Sequence, residues 1–330
     1  MWILYFTLFV VSIIVPLLVF QIQTTSERVD LLSVYHTDFI KGIGILLVIL
    51  GHTMQYYCPE IVFFTPTGGI GVALFLICSG YGLNESAKKE KRHILYWYKR
   101  FISVLVPYWI FQILIFWLWH PFDLKGVILD LLLIKPQFGF GWYLSYLFFW
   151  YLVFYCVTYI KCINKYRIPL MVLISCGILI FCRSLVAEQA VSFVIGVLLS
   201  DIKQEFTRKI SIRLGIVLFC AGVVVLVIKQ IPDVRNSSEL TLKIIQLNIK
   251  TLSACGIVIL SYYLCKKLTI KYISFLGQIS YELYLVHGVV LFFLGKGPML
   301  MLIYLCLSVV FAWVFNTINR VVKKRALMAI

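Results

Sequence analysis

The chain has 330 residues, of which 62% are hydrophobic, 16% aromatic and only 13% charged, and its formal net charge is +16. That balance excludes a soluble globular domain and indicates a polytopic membrane protein. The excess cations do not point to nucleic acid: they sit in short clusters between apolar runs, as cytoplasmic loops do, with no long basic arm and no nucleic-acid motif.

Apolar runs long enough for one bilayer crossing recur down the chain. The predicted spans are 2–22, 38–57, 67–84, 101–119, 142–160, 168–184, 188–202, 211–229, 249–265, 273–294 and 298–318. An all-α bundle of about 10–11 transmembrane helices follows. The first run has no basic leader and ends in Gln-Ile-Gln-Thr-Thr rather than a small-residue cleavage site, so residues 1–24 read as a retained extra helix. The seventh span is the shortest and carries Glu188 at its edge.

Every second connection is basic. Arg28 follows the first span, Lys88 to Arg100 the third, Lys161 to Arg167 the fifth, Lys203 to Arg213 the seventh and Lys266 to Lys271 the ninth. The positive-inside rule then places the N-terminus outside and the C-terminus in the cytoplasm of a plasma or inner membrane. The main domain covers 36–322 and a basic cytoplasmic tail covers 323–330. Between His120 and Gly141 an apolar patch, Val127 to Ile134, is too short to span and reads as an interfacial or re-entrant helix. The connection from Ile231 to Asn248 is the longest polar external piece. The ten cysteines lie mostly in apolar segments without CxxC spacing, so they read as small hydrophobes, and neither a disulfide nor a metal site is predicted. Membrane lipids are the one partner that composition requires; the sequence sets no oligomeric state.

Within the second span, Lys41 and His52 are eleven positions apart. That is three helical turns plus roughly 20°, so both side chains share a face, about 16 Å apart along the axis. A polar nitrogen at depth is expensive unless it faces a bundle interior or a wet cavity. The bland readings are a histidine bonded to a neighbouring helix and a snorkelling lysine. Gly71, Ser79 and Gly82 in the third span let helices approach closely. Lys99 and Arg100 are either a topology signal or a clamp for the phosphates of a nucleotide-like cofactor. Trp142 and Tyr143 open the fifth span; such rings belong at a membrane interface and also stack on sugars. In the tenth span Ser280, Tyr284 and His287 share a face, and Glu282 is an acid in an apolar run. A proton-coupled transporter would use the same groups.

Taken together, these segments resemble the transmembrane acyltransferase 3 family. The carrying residues are Lys41-x10-His52, Gly71-Val-x2-Phe75-x3-Ser79-Gly80, Lys99-Arg100-x6-Pro107-Tyr108-Trp109, Trp142-x-Leu144 and Ser280-Tyr-Glu-Leu-Tyr284-Leu-Val-His287. They run in the family's order from about Asp38 to Arg320. The resemblance implies transfer of acetyl, or less often succinyl, groups from cytoplasmic acyl-CoA to hydroxyls of extracytoplasmic glycans. It implies that His52 is the essential histidine, Lys41 its basic partner and Arg100 a holder of CoA phosphates. Ser103 and Leu147 stand where many members have an Arg and a Glu, which weighs against the best-known glycan subgroup.

The expected site is then His52, Lys41, Glu282 and His287 for chemistry, Lys99 and Arg100 for acetyl-CoA or another acyl-CoA, and Trp142, Tyr143, Tyr284 and Ser79 for substrate. His52 acts as general base or as transient acyl carrier. The acceptor is a cell-surface polysaccharide or a lipid-linked glycan. The competing reading is a transporter or flippase of a lipid-linked glycan that does no covalent chemistry.

Overall fold

The computed structural model describes residues 2–19, 22–24, 29–89, 93–119, 123–136 and 141–328. The loop cations Arg28, Lys91 and Arg92 lie outside the described residues. Among the described residues fourteen α-helices of eight or more residues organise the chain: α1 (Trp2–Val19), α2 (Val34–Tyr57), α3 (Thr65–Lys89), α4 (His93–Arg100), α5 (Val106–Trp119), α6 (Leu124–Leu131), α7 (Trp142–Tyr159), α8 (Arg167–Phe181), α9 (Ser192–Asp201), α10 (Ile212–Ile228), α11 (Glu239–Cys265), α12 (Lys271–Gln278), α13 (Ser280–Leu294) and α14 (Pro298–Met328). Without water to satisfy backbone groups, a long apolar segment must bond to itself, and helix results. Gln23–Thr24 pairs antiparallel with Leu268–Thr269, tying the link after α1 to the link before α12.

Helix falls on each of the eleven predicted spans. Among the described residues seven helical segments are individually long and apolar enough to cross a membrane, and two bent pairs bring the number to nine. Trp142–Tyr159 and Arg167–Phe181 are the remaining two; the first is rich in Trp and Tyr, the second short. Three boundaries differ from expectation. α11 starts at Glu239, so the second half of the expected 231–248 loop is helix. Ser238 caps it by accepting the Thr241 N–H at 3.2 Å, and Lys243 pairs with Glu239 at 2.9 Å one turn away. The expected basic tail continues α14 to Met328. The tenth span is broken, with α12 and α13 bent by 78°.

The break falls at Ile279, next to a close contact: a Cβ on Gly277 would overlap the Asp38 carbonyl oxygen, so the end of α12 lies hard against the start of α2. Glycines also set the crossing of α2 and α3. A Cβ on Gly71 would overlap the Gly44 carbonyl, and one on Gly51 would stand 2.8 Å from the Gly68 nitrogen. Gly71→Leu is therefore expected to wedge the two helices apart, at about 1–3 kcal/mol for overpacking. Thermal unfolding in detergent should show a lowered midpoint; an unchanged one would mean that the crossing tolerates a side chain.

The core is aromatic where α7 meets α9. Trp150 is fully buried and stacks on Phe193, centroids 5.3 Å apart. Tyr5 and Phe9 of α1 are buried in the same core cluster, so the first helix packs into the bundle rather than standing aside.

Between α4 and α5, residues Phe101–Leu105 form a π-helical turn. Pro107 explains it: proline has no N–H to return to the preceding turn and its ring crowds the carbonyl four residues back. The Val104 carbonyl accepts the Tyr281 hydroxyl at 2.6 Å, so the irregular turn is tied to α13. The Tyr-Trp that follows secures α6. The Tyr108 hydroxyl donates to the buried Asp130 carboxylate, Gln112 Nε2 donates to the same carboxylate at 3.1 Å, and Trp109 Nε1 donates to the Leu131 carbonyl at 2.8 Å. The expected short helix near Val127 to Ile134 is thus the two-turn α6, Leu124–Leu131, clamped onto α5.

Candidate active site

Two cavities lie near a histidine pair in which His287 is fully buried and His52 half-buried. The first, about 820 Å³ and partly open, is lined by Asp38 and Lys41 of α2, Ser79 of α3, Ser103 and Val104 of the π turn, Tyr143 of α7 and Tyr284 of α13. The second, about 860 Å³, is lined by His52, Gln55, Trp142, Glu188, Gln246, Lys250 and again Tyr284. Tyr284 lines both.

Helical spacing supplies this arrangement. Lys41 and His52 do share one face of α2, as the spacing predicted, but the length of helix between them puts one in each cavity. His287 reaches His52 from α13. His52 Nδ1 and His287 Nε2 are 2.8 Å apart, with ring planes 14° from parallel. His287 Nδ1 lies 3.0 Å from the Leu283 carbonyl oxygen, which can only accept. In the neutral pair His287 therefore carries its proton on Nδ1, and its Nε2 accepts from His52 Nδ1–H. The lone pair of His52 is thereby assigned to Nε2. One backbone carbonyl, read through two imidazoles, sets the tautomer of the residue lining the second cavity.

Ser79, Tyr143 and Tyr284 are brought together at the first cavity. The Tyr143 and Tyr151 hydroxyls stand beside the Ser79 hydroxyl, and the Tyr143 and Tyr284 rings meet edge to face at 5.1 Å. Trp142 lines the second cavity, one residue away from Tyr143 in sequence and on the other side of the site. Lys41 is paired with Asp38 at 3.3 Å.

Glu282 stands elsewhere. Its carboxylate accepts from Asn316 Nδ2 at 2.9 Å and from Asn319 Nδ2 at 3.0 Å, bridging α13 to α14. Five residues separate it from His287, about 140° around the helix, so the two point to different neighbours. Lys99 is half-buried on α4. Arg100 donates to the Tyr96 carbonyl at 3.0 Å and covers the Tyr96 ring at 4.3 Å. Neither lines the first cavity, although they precede the π turn that does.

Several side chains at the cavities have no place in the sequence reading. Glu188 and Lys250 form a buried ion pair in the wall of the second cavity. The signal for them was present but weak: an acid and an amine at the edges of apolar runs are expensive only where the fold buries them unpaired. Gln55, Gln189 and Gln246 join them. Near the first cavity, Arg320 donates to Gln278 Oε1 at 3.4 Å, and Lys323 lies within electrostatic reach of Lys41 and Glu282.

A polytopic bundle with a tautomer-fixed histidine pair beside a cavity that polar side chains line has the parts of an intramembrane group-transfer enzyme. The acyltransferase domain model matches residues 34–317, starting at the first residue of α2 and leaving α1 outside. The chain belongs to the acyltransferase 3 family and is a membrane acyltransferase. No curated protein and no solved structure matches it.

Proposed function

We propose that the protein is an O-acetyltransferase of the plasma or inner membrane. It takes the acetyl group of cytoplasmic acetyl-CoA and moves it to a hydroxyl of a cell-surface or lipid-linked glycan on the outer side. The observation that carries this reading is the His52–His287 contact, with His52 lining one cavity, Lys41 the other and Tyr284 both. A transferase with its donor on one side and its acceptor on the other needs such a junction, whereas a transporter needs one continuous path.

Lys41, Arg320 and Lys323 around the first cavity, with Lys99 and Arg100 on α4, form the cationic side that suits the phosphates of CoA. The thioester arm enters along Ser79, Tyr143 and Tyr284. His52 Nε2 takes the proton of the acceptor hydroxyl as its oxygen attacks the thioester carbonyl carbon. The carbon–sulfur bond breaks, the thiolate leaves, and the imidazolium returns the proton to it. CoA-SH and an O-acetyl ester result, with His52 neutral again.

Glu282 takes no part in this sequence. Glu282→Gln is expected to lower the unfolding midpoint, because one of the two asparagine donors loses its oxygen. Transfer per folded protein should stay within about threefold of wild type. A loss of about a hundredfold, the range of a missing acid or base, would put Glu282 in the chemistry. The reading as a whole is tested with membranes given [14C]acetyl-CoA: label should enter the glycan fraction with wild-type protein. Label absent from glycan while CoA release continues would contradict a glycan acceptor.

A further inference from the structure

The second cavity has a floor, His52, and a wall that the reaction above does not use. Among the described residues its charged lining side chains are Glu188 and Lys250, and they are bound to each other. Lys250 is held in place along its length. Its stem lies across Gly69, where a Cβ would stand 2.9 Å from Lys250 Cδ, and Gln189 Nε2 fixes the same glycine by donating to its carbonyl at 2.8 Å. Glu188 is 8% exposed and Lys250 5% exposed, so the pair is no surface bridge. Gln246 also lines this space, and its Oε1 is turned away from it, buried without a hydrogen-bond donor among the described residues. Trp142 supplies a flat apolar wall.

A buried acceptor atom without a donor loses the hydrogen bond that water would give it, so the Gln246 amide gains by turning its oxygen to a ligand donor in the cavity that the residue lines. The ion pair adds both polarities at one point. Lys250 has three N–H bonds and Glu188 two oxygens, and their mutual contact leaves donors and an acceptor for a hydroxyl that both gives and receives. The charges cancel. A carboxylate or phosphate entering here would compete with Glu188 for Lys250 and leave a buried carboxylate without its cation. Hydroxyls make no such demand.

From these observations we propose that Glu188, Lys250 and Gln246 form the acceptor subsite. We propose further that the ring it binds is an uncharged polyol, stacked on Trp142, with the ion pair as the determinant that excludes anionic sugars. This rests on the transferase reading above and gives its second cavity a substrate class. The pair positions the acceptor hydroxyl above His52 and leaves the donor cavity untouched.

The test measures binding and transfer separately on the intact protein in nanodiscs. Saturation-transfer NMR compares methyl glucopyranoside with methyl glucuronoside, the same ring with and without a carboxylate. Wild type should bind the neutral glycoside at least tenfold more tightly. Glu188→Gln and Lys250→Met should each lose that binding by tenfold or more. The double variant Glu188→Gln/Lys250→Met carries no orphaned charge; stabilisation by acetyl-CoA in a thermal scan verifies its fold, and it too should fail to hold the sugar. Equal or better binding of the glucuronoside, no binding of the neutral ring by wild type, or binding unchanged in the folded double variant would each overturn the proposal. Sugar binding that is intact and pair-dependent, with no acetyl transfer to any glycoside from labelled acetyl-CoA, would uphold the subsite and count against the transferase reading instead.

Discussion

His52→Ala is expected to lower acetyl transfer by about 10²–10⁴-fold, the range of a lost general base, while the protein still inserts and binds acetyl-CoA. The histidine lines the second cavity in the C-terminal third of α2, and alanine suits a helix there. The variant removes the atom that takes the hydroxyl proton and leaves the glycine crossings with α3 in place. The measurement is initial rate with saturating donor, alongside thermal stabilisation by acetyl-CoA. A rate within tenfold of wild type would remove His52 from the chemistry.

The second large effect falls on a residue that touches neither substrate. His287→Phe keeps a ring of similar size but removes the Nε2 that accepts from His52 at 2.8 Å. His52 then loses the bond that fixes its tautomer, and a share of molecules carries the proton on Nε2, where no base is available. We expect kcat to fall by about 10²-fold, at the lower end of the loss for a missing base, with little change in the acceptor KM. His287→Gln retains an oxygen acceptor and should keep distinctly more activity than the phenylalanine variant. Nitrogen-15 imidazole spectra of wild type should show His52 protonated on Nδ1. If phenylalanine and glutamine fall equally, or the spectra show the other tautomer, His287 serves packing alone.

Much of the bundle was legible because bilayer physics is strict. A run of about 20 apolar residues has almost no alternative to helix, so all eleven predicted spans coincide with helix. Where charge and helix coexist, hydropathy fails: Glu239, Lys243 and Asn248 made the start of α11 read as loop, although Glu239 and Lys243 pair along it. The bend between α12 and α13 was equally hidden, since neither proline nor charge lies between Tyr272 and Tyr281 to mark it.

The site was legible in part. Periodicity placed Lys41 and His52 on one face, and the cost of a buried imidazole singled out His52 and His287; their contact is tertiary and no spacing reveals it. The same cost argument drew Glu282 into the site, because energetics says that a buried acid has partners without saying which. Its partners, Asn316 and Asn319, lie in another helix. Lys250 escaped notice for the converse reason: near the predicted start of a span it looked like an ordinary boundary cation, and only the fold brings Glu188 to it.

The most direct test of the central claim is mass spectrometry of surface glycans from cells lacking the gene, complemented with wild type or with His52→Ala. The account predicts that one glycan loses the mass of an acetyl group per modified unit, that wild type restores it, and that the alanine variant does not. A glycan of unchanged mass but altered surface abundance, restored equally by both, would contradict it and indicate transport.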